Sequence, residues 1–81
     1  MAEPDVDIFG TLQGGIVAVG GETTGFLLHN VTIEVDMSAV ENADELDASR
    51  LRLYGHFEVV EGVETGRRWV FKAHQATRIG D

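Results

Sequence analysis

Through residues 51–60 the side chains change character at nearly every step. Leu51, Leu53, Gly55, Phe57 and Val59 alternate with Arg52, Tyr54, His56, Glu58 and Val60. A period of two marks a β-strand with one face buried, because successive side chains leave opposite faces of the pleat. A helix needs apolar residues three and four apart, so this stretch excludes one. The same period returns at residues 31–37, where Val31, Ile33, Val35 and Met37 share one face and Thr32, Glu34 and Asp36 the other.

The rest of the chain fits around these segments. Ile8, Phe9, Gly10, Thr11, Leu12 and Gln13 alternate, pause at Gly14 and Gly15, and resume through residues 16–19. Two glycines inside a strand pattern predict one long first strand with a bulge or bend. Residues 25–29 form the second strand and residues 31–37 the third. Between residues 38 and 49 the pattern changes: Ala39, Val40, Ala43 and Leu46 recur at helical spacing, and Ser38 with Glu41 three residues later matches a capping box. A short helix is expected there. Strand four covers residues 51–60, and after a turn at residues 61–66 the last strand runs from 67 to 79. A turn centred on Val63 sets Phe57 opposite Trp69 and Gly55 opposite Phe71 in the core. It sets Glu58 opposite Arg68, Tyr54 opposite Lys72 and Arg52 opposite His74 on the outer face.

Size then limits the architecture. The chain has 81 residues and no cysteine, so packing must hold it without disulfides or thiolate metal sites. Closing the sheet removes the free edges that so small a sheet would leave exposed. The expected fold is mainly β: a small closed five-stranded barrel, one domain with its core at about residues 6–79. The long bent first strand and the helix between strands three and four make it OB-like, after the oligonucleotide/oligosaccharide-binding architecture. The run Gly20-Gly21-Glu22-Thr23-Thr24-Gly25, Glu34 in an acidic and apolar strand, and Leu53-Tyr54-Gly55-His56-Phe57 resemble small bacterial OB-like proteins of uncharacterised function. The resemblance spans residues 8 to 79 and implies the fold more than any activity.

Charge bears on partners. The net charge is -8. Residues 1–49 carry ten acids and no Lys or Arg, and residues 50–81 carry six bases against four acids. Acidic and basic strands lying side by side would neutralise locally. Binding through phosphates draws on Lys and Arg displacing counterions, so nucleic acid is not the expected partner. The alternative of a single-stranded nucleic acid or oligosaccharide ligand rests on Tyr54 among Arg52, His56, Arg68, Lys72 and His74, a mixed basic and aromatic face of strands four and five.

The loop at residues 20–25 is not a P-loop, since no Lys follows its last glycine and a strand follows in place of a helix. It reads as a turn with glycines at positive φ, or as a loop presenting Glu22, Thr23 and Thr24 to a ligand. No metal is expected. In the predicted register His56 faces Val70 and His74 faces Arg52, while His29 lies in a turn. Asp5 and Asp7, or Asp44, Glu45 and Asp47, lack the spacing of a calcium loop.

No cofactor is expected either. The only serines, Ser38 and Ser49, have no neighbouring histidine in sequence, and there is no Cys nucleophile, so the protein is not expected to be an enzyme. The leading expectation is a non-catalytic module that binds a protein partner or itself through strands four and five and the first loop. The acidic N-terminal residues show no signal peptide or membrane span, and a cysteine-free chain fits the cytoplasm.

Overall fold

The alternating segments become strands, and the strands close on one another. The computed structural model describes residues 5–30, 32–64 and 66–79. Its strands are β1 (Val6–Gln13), β2 (Leu27–His29), β3 (Ile33–Asp36), β4 (Arg50–Gly62) and β5 (Gly66–Arg78). They form a ring in the order β1-β2-β3-β5-β4, with β4 pairing back onto β1. Every contact is antiparallel except the β3–β5 seam, where Glu34, Val35 and Asp36 run parallel to Val70, Phe71 and Lys72. Inside the ring Leu12, Leu28, Val35, Met37, Leu51, Leu53, Phe71 and Ala73 form one buried cluster.

The first strand is shorter than its apolar pattern predicts. It stops at Gln13, and residues 14–18 have left the sheet. Gly15 takes φ 70°, and the Gly14 N–H donates to the Asp47 carboxylate at 2.8 Å in place of a ladder partner. The glycine pair therefore ends the strand instead of bending it. The second and third strands are also trimmed, to Leu27–His29 and Ile33–Asp36. Val31, predicted to open the third strand, lies outside the described residues.

The expected helix is a four-residue 3-10 turn, Ala43–Leu46. Asn42 precedes it in the left-handed region, at φ 60°, which breaks any α-helix begun at Ser38. Ser38 caps nothing observed: its N–H instead donates to Asp36 at 2.9 Å, closing a local turn. Val40, Ala43 and Leu46 still pack against the core and cover one end of the ring.

The β4–β5 hairpin turns one residue later than predicted, with Gly62 opposite Gly66, so every partner moves by two. Phe57 faces Phe71, Val59 faces Trp69, Glu58 faces Val70, and His56 faces Lys72. A further shift follows between Tyr54 and Gly55: Gly55 pairs with Ala73 but Tyr54 with Gln75, which leaves His74 as the extra residue of a β-bulge. Arg52 consequently faces Thr77. The expectation that Trp69 is buried is corrected. Phe71 is 0% exposed, but Trp69, two residues earlier on the same face, is 57% exposed. The ring does not extend that far, since β3 pairs with β5 only from Val70 onward.

Candidate functional site

The parallel seam sets acids of the first half of the chain beside bases of the second. Alternation puts Glu34 and Asp36 of β3 on the outer face, beside Arg68 and Lys72 of β5. Arg68 Nε donates to Glu34 Oε1 at 2.6 Å, and Lys72 Nζ lies 3.4 Å from Asp36 and 3.8 Å from Glu58. Two acids of the first half, Glu34 and Asp36, are thus paired across this seam with two bases of the second.

Glu34 ties in the first loop as well, its Oε2 accepting the Thr24 N–H at 2.6 Å. The Thr24 hydroxyl donates to the Val35 carbonyl, and Thr23 Oγ1 accepts the Gly25 N–H at 3.1 Å. Glu22 accepts the Glu64 N–H with both oxygens at 2.9 Å, clipping the first loop to the β4–β5 turn. Gly20, Gly21 and Gly25 all have positive φ. The three loop residues predicted as ligand contacts therefore bond to the protein itself in this structure.

Burial alone would raise the Glu34 pKa, but the Arg68 and Thr24 hydrogen bonds outweigh it and hold the carboxyl below its usual 4.5. Burial likewise pushes the Asp36 pKa up, and the hydrogen bonds from Ser38 and Lys72 overcome it, so that the carboxyl sits below 3.8. A depressed folded pKa means that the unfolded chain binds protons first on acidification. The contribution is complete above about pH 4.5 and is lost as pH falls through the lower folded values. Urea midpoints are expected to drop between pH 5 and pH 3, and Glu34→Gln is expected to flatten that drop. At neutral pH Glu34→Ala is expected to cost about 1–3 kcal/mol, because it strands the Thr24 N–H. An equal acid dependence in Glu34→Gln would show that the seam does not carry it.

On the outer face of β4 and β5 the structure brings Tyr54, His56 and His74 together, with Lys72 opposite His56, and turns Arg68 to Glu34 at the seam. The His56 and His74 ring centroids are 4.9 Å apart, and those of Tyr54 and His74 6.3 Å. The expectation that the two histidines lie diagonally apart is corrected: the bulge places His56 Nδ1 2.9 Å from His74 Nε2. His56 Nε2 bonds to Glu58 at 2.7 Å. That bond outweighs the opposing effect of burial and, with help from the Lys72 charge, holds the Glu58 pKa below its ordinary value. The charge of Asp5, then burial and a hydrogen bond with Asp5, raises the Tyr54 phenol above 10. Arg52 lies further along, in a shallow cleft with Asp7, Tyr54, Gln75 and Thr77.

Sequence reasoning missed an apolar site at the end of the ring away from the 3-10 turn. Ile8, Phe9, Leu28, Asn30, Ile33 and Phe57 line an open cavity of about 280 Å³. Beyond Phe57 the inner face of the hairpin continues as the Val59–Trp69 pair, 43% and 57% exposed, and Phe9 is 49% exposed. The alternation at residues 31–37 predicts a longer third strand than the observed Ile33–Asp36, and it is the shorter strand that leaves the tip of a long hairpin without a third neighbour. Among the described residues no helix is long and apolar enough to cross a membrane. No known protein family, curated protein or solved structure matches this chain.

Proposed function

We propose that the chain is an OB-like barrel that acts as a non-catalytic module, binding another protein through the apolar mouth of the ring. The strand order supports the fold reading: β1 pairs with both β2 and β4, and β3 meets β5, a five-stranded Greek-key closure. The observation that carries the binding reading is a cavity walled by five apolar residues and Asn30, among them the half-exposed Phe9, with the exposed Val59–Trp69 pair next along the hairpin from its Phe57 wall. Large aromatic side chains beside an apolar pocket are the residues that dominate protein interfaces. Two copies would each carry -8, which opposes self-association at low salt and favours a partner with basic residues flanking an apolar one. On the outer face, Arg68 and Lys72 are paired with Glu34 and Asp36, which weakens the case for a phosphate backbone there.

Trp69 is the only tryptophan, so its fluorescence reports on the mouth directly. Short peptides carrying one Leu or Phe between lysines are expected to shift that emission to the blue and to saturate. Phe9→Ser is expected to weaken binding by at least 10-fold, about 1.4 kcal/mol, while the double reversal Arg68→Glu with Lys72→Glu is expected to leave it within a few-fold. Oligothymidylate binding at low salt that disappears in the double reversal, with no peptide response, would replace this reading with nucleic-acid binding.

A further inference from the structure

The bulge in β5 creates a cluster that the regular ladder would not. His74 is the residue in excess, and it lands on the outer face beside His56, whose own partner in the ladder is Lys72. Asp5, just ahead of β1, completes the group. Its Oδ1 lies 3.8 Å from His56 Nδ1 and 3.8 Å from His74 Nδ1. One donor atom from each of Asp5, His56 and His74 lies within 4.8 Å of the others.

We propose that Asp5, His56 and His74 bind a divalent transition-metal ion of the zinc type, with water filling the remaining coordination.

The arrangement around His56 favours a metal ligand. Its Nε2 faces the Glu58 carboxylate at 2.7 Å, which places the ring proton on Nε2 and leaves the Nδ1 lone pair directed at the cluster. A carboxylate behind a ligating imidazole is the usual outer support of a zinc histidine, fixing the tautomer and making the ring a better donor. His56 Nδ1 and His74 Nε2 then meet at 2.9 Å, a hydrogen-bond separation that a proton bridges until a metal ion displaces it. Zinc bonds of about 2.0–2.2 Å in a tetrahedron set donors about 3.3–3.6 Å apart. From His56 Nδ1 the distances to His74 Nε2 and Asp5 Oδ1 are 2.9 and 3.8 Å, on either side of that value; His74 turns either ring nitrogen to the ion, and Asp5, with a side chain 38% exposed, has room to close the difference. Two imidazoles and one carboxylate suit zinc, cobalt, nickel or copper; calcium and magnesium take six or more oxygens and do not fit this set. The site does not involve the apolar mouth, so the two readings stand or fall separately.

Untagged full-length protein, freed of metal by chelator, is titrated with zinc chloride by calorimetry and with cobalt chloride by visible absorption. Saturation at one ion per chain, with the intense bands of low-coordinate cobalt, is expected. His56→Gln and His74→Gln are each expected to weaken zinc binding by more than 100-fold, and Asp5→Asn by at least 10-fold. Glu58→Gln, which keeps every ligand, is expected to weaken it by about 10- to 100-fold. His29→Gln, a histidine on β2, is expected to change nothing. Circular dichroism establishes that each variant is folded. Independently of any variant, zinc is expected to move the imidazole nitrogen resonances of His56 and His74 in the native protein and leave those of His29 in place. Titration without saturation, zinc affinity unaltered in His74→Gln, or zinc shifts confined to His29 would each overturn the proposal and leave a hydrogen-bonded histidine pair only.

Discussion

Gly55→Ala is expected to lower the melting temperature by about 12 °C or more, a loss of at least about 3 kcal/mol. The reason is backbone against backbone. A Cβ on Gly55 would lie 1.9 Å from the Lys72 carbonyl oxygen and 2.9 Å from its carbon, and neither atom can swing aside as a side chain does. Gly55 sits where the β4–β5 register shifts, so the strands approach closely there because the bulge turns β5 toward β4. Relieving the clash means moving the bulge, and His74 then leaves His56. Gly15→Ala supplies the comparison: its φ of 70° disfavours alanine, which the backbone of Gly55 does not, but nothing lies within 4 Å of the added methyl group. It is expected to cost about 1–2 kcal/mol. Thermal and urea unfolding of both variants checks this, and a Gly55→Ala loss no larger than that of Gly15→Ala would refute the close approach.

Phe71→Ala is expected to cost about 3–5 kcal/mol, a large part of the roughly 4–12 kcal/mol available to a domain of this length. Phe71 is the largest fully buried side chain, stacks edge-on against Phe57 at 4.9 Å, and pairs with Val35 across the parallel seam. Truncation leaves a cavity bordered by strands that are held in place by the rest of the ring, so little collapse can fill it. Phe71→Leu, which restores most of the volume, is expected to recover more than half of the loss. Val63→Ala, at the 96% exposed hairpin turn, is expected to stay within about 0.5 kcal/mol. Equal urea midpoints for Phe71→Ala and Val63→Ala would remove Phe71 from the centre of the core.

The contrast between Phe71 and Trp69 shows what the sequence carries. Alternation identified β4 and β5 and put these two residues on one face, because a period of two survives any even error in register. The turn was placed one residue early, which moves each partner by two and keeps every side chain on its own face. As far as Ala73, opposite pairs were therefore wrong while faces were right; beyond the bulge the faces of β5 swap, with Ala76 packed on the core and Gln75 and Thr77 beside Tyr54 and Arg52. Depth was not legible: Trp69 is exposed because β3 is only four residues long, and nothing local to Trp69 states the length of β3. Glycine punctuation was read at the wrong place. Gly14 and Gly15 suggested a bulge and instead ended β1, while Gly55, inside the strongest alternating run, marked the true bulge.

The candidate sites were less legible for the same reason. The His56–His74 contact depends on one extra residue in β5, and the Glu34–Arg68 pair joins positions 34 residues apart. The short apolar segment at residues 38–49 lacked the length to enforce a helix, so Asn42 and the Asp36–Ser38 turn decided its conformation.

The placement of β5 also has a consequence for synthesis. β3 and β4 both wait for β5, so a nascent chain must emerge from the ribosome almost as far as Arg78 before the last two junctions can form. Until then Val35 and Leu28 have no Phe71 to cover them, and pairing is limited to the β1–β2, β2–β3 and β1–β4 contacts. Such a chain gains most of its packing in one late step, a pattern that makes folding slow and the unfinished polypeptide prone to cling to its neighbours.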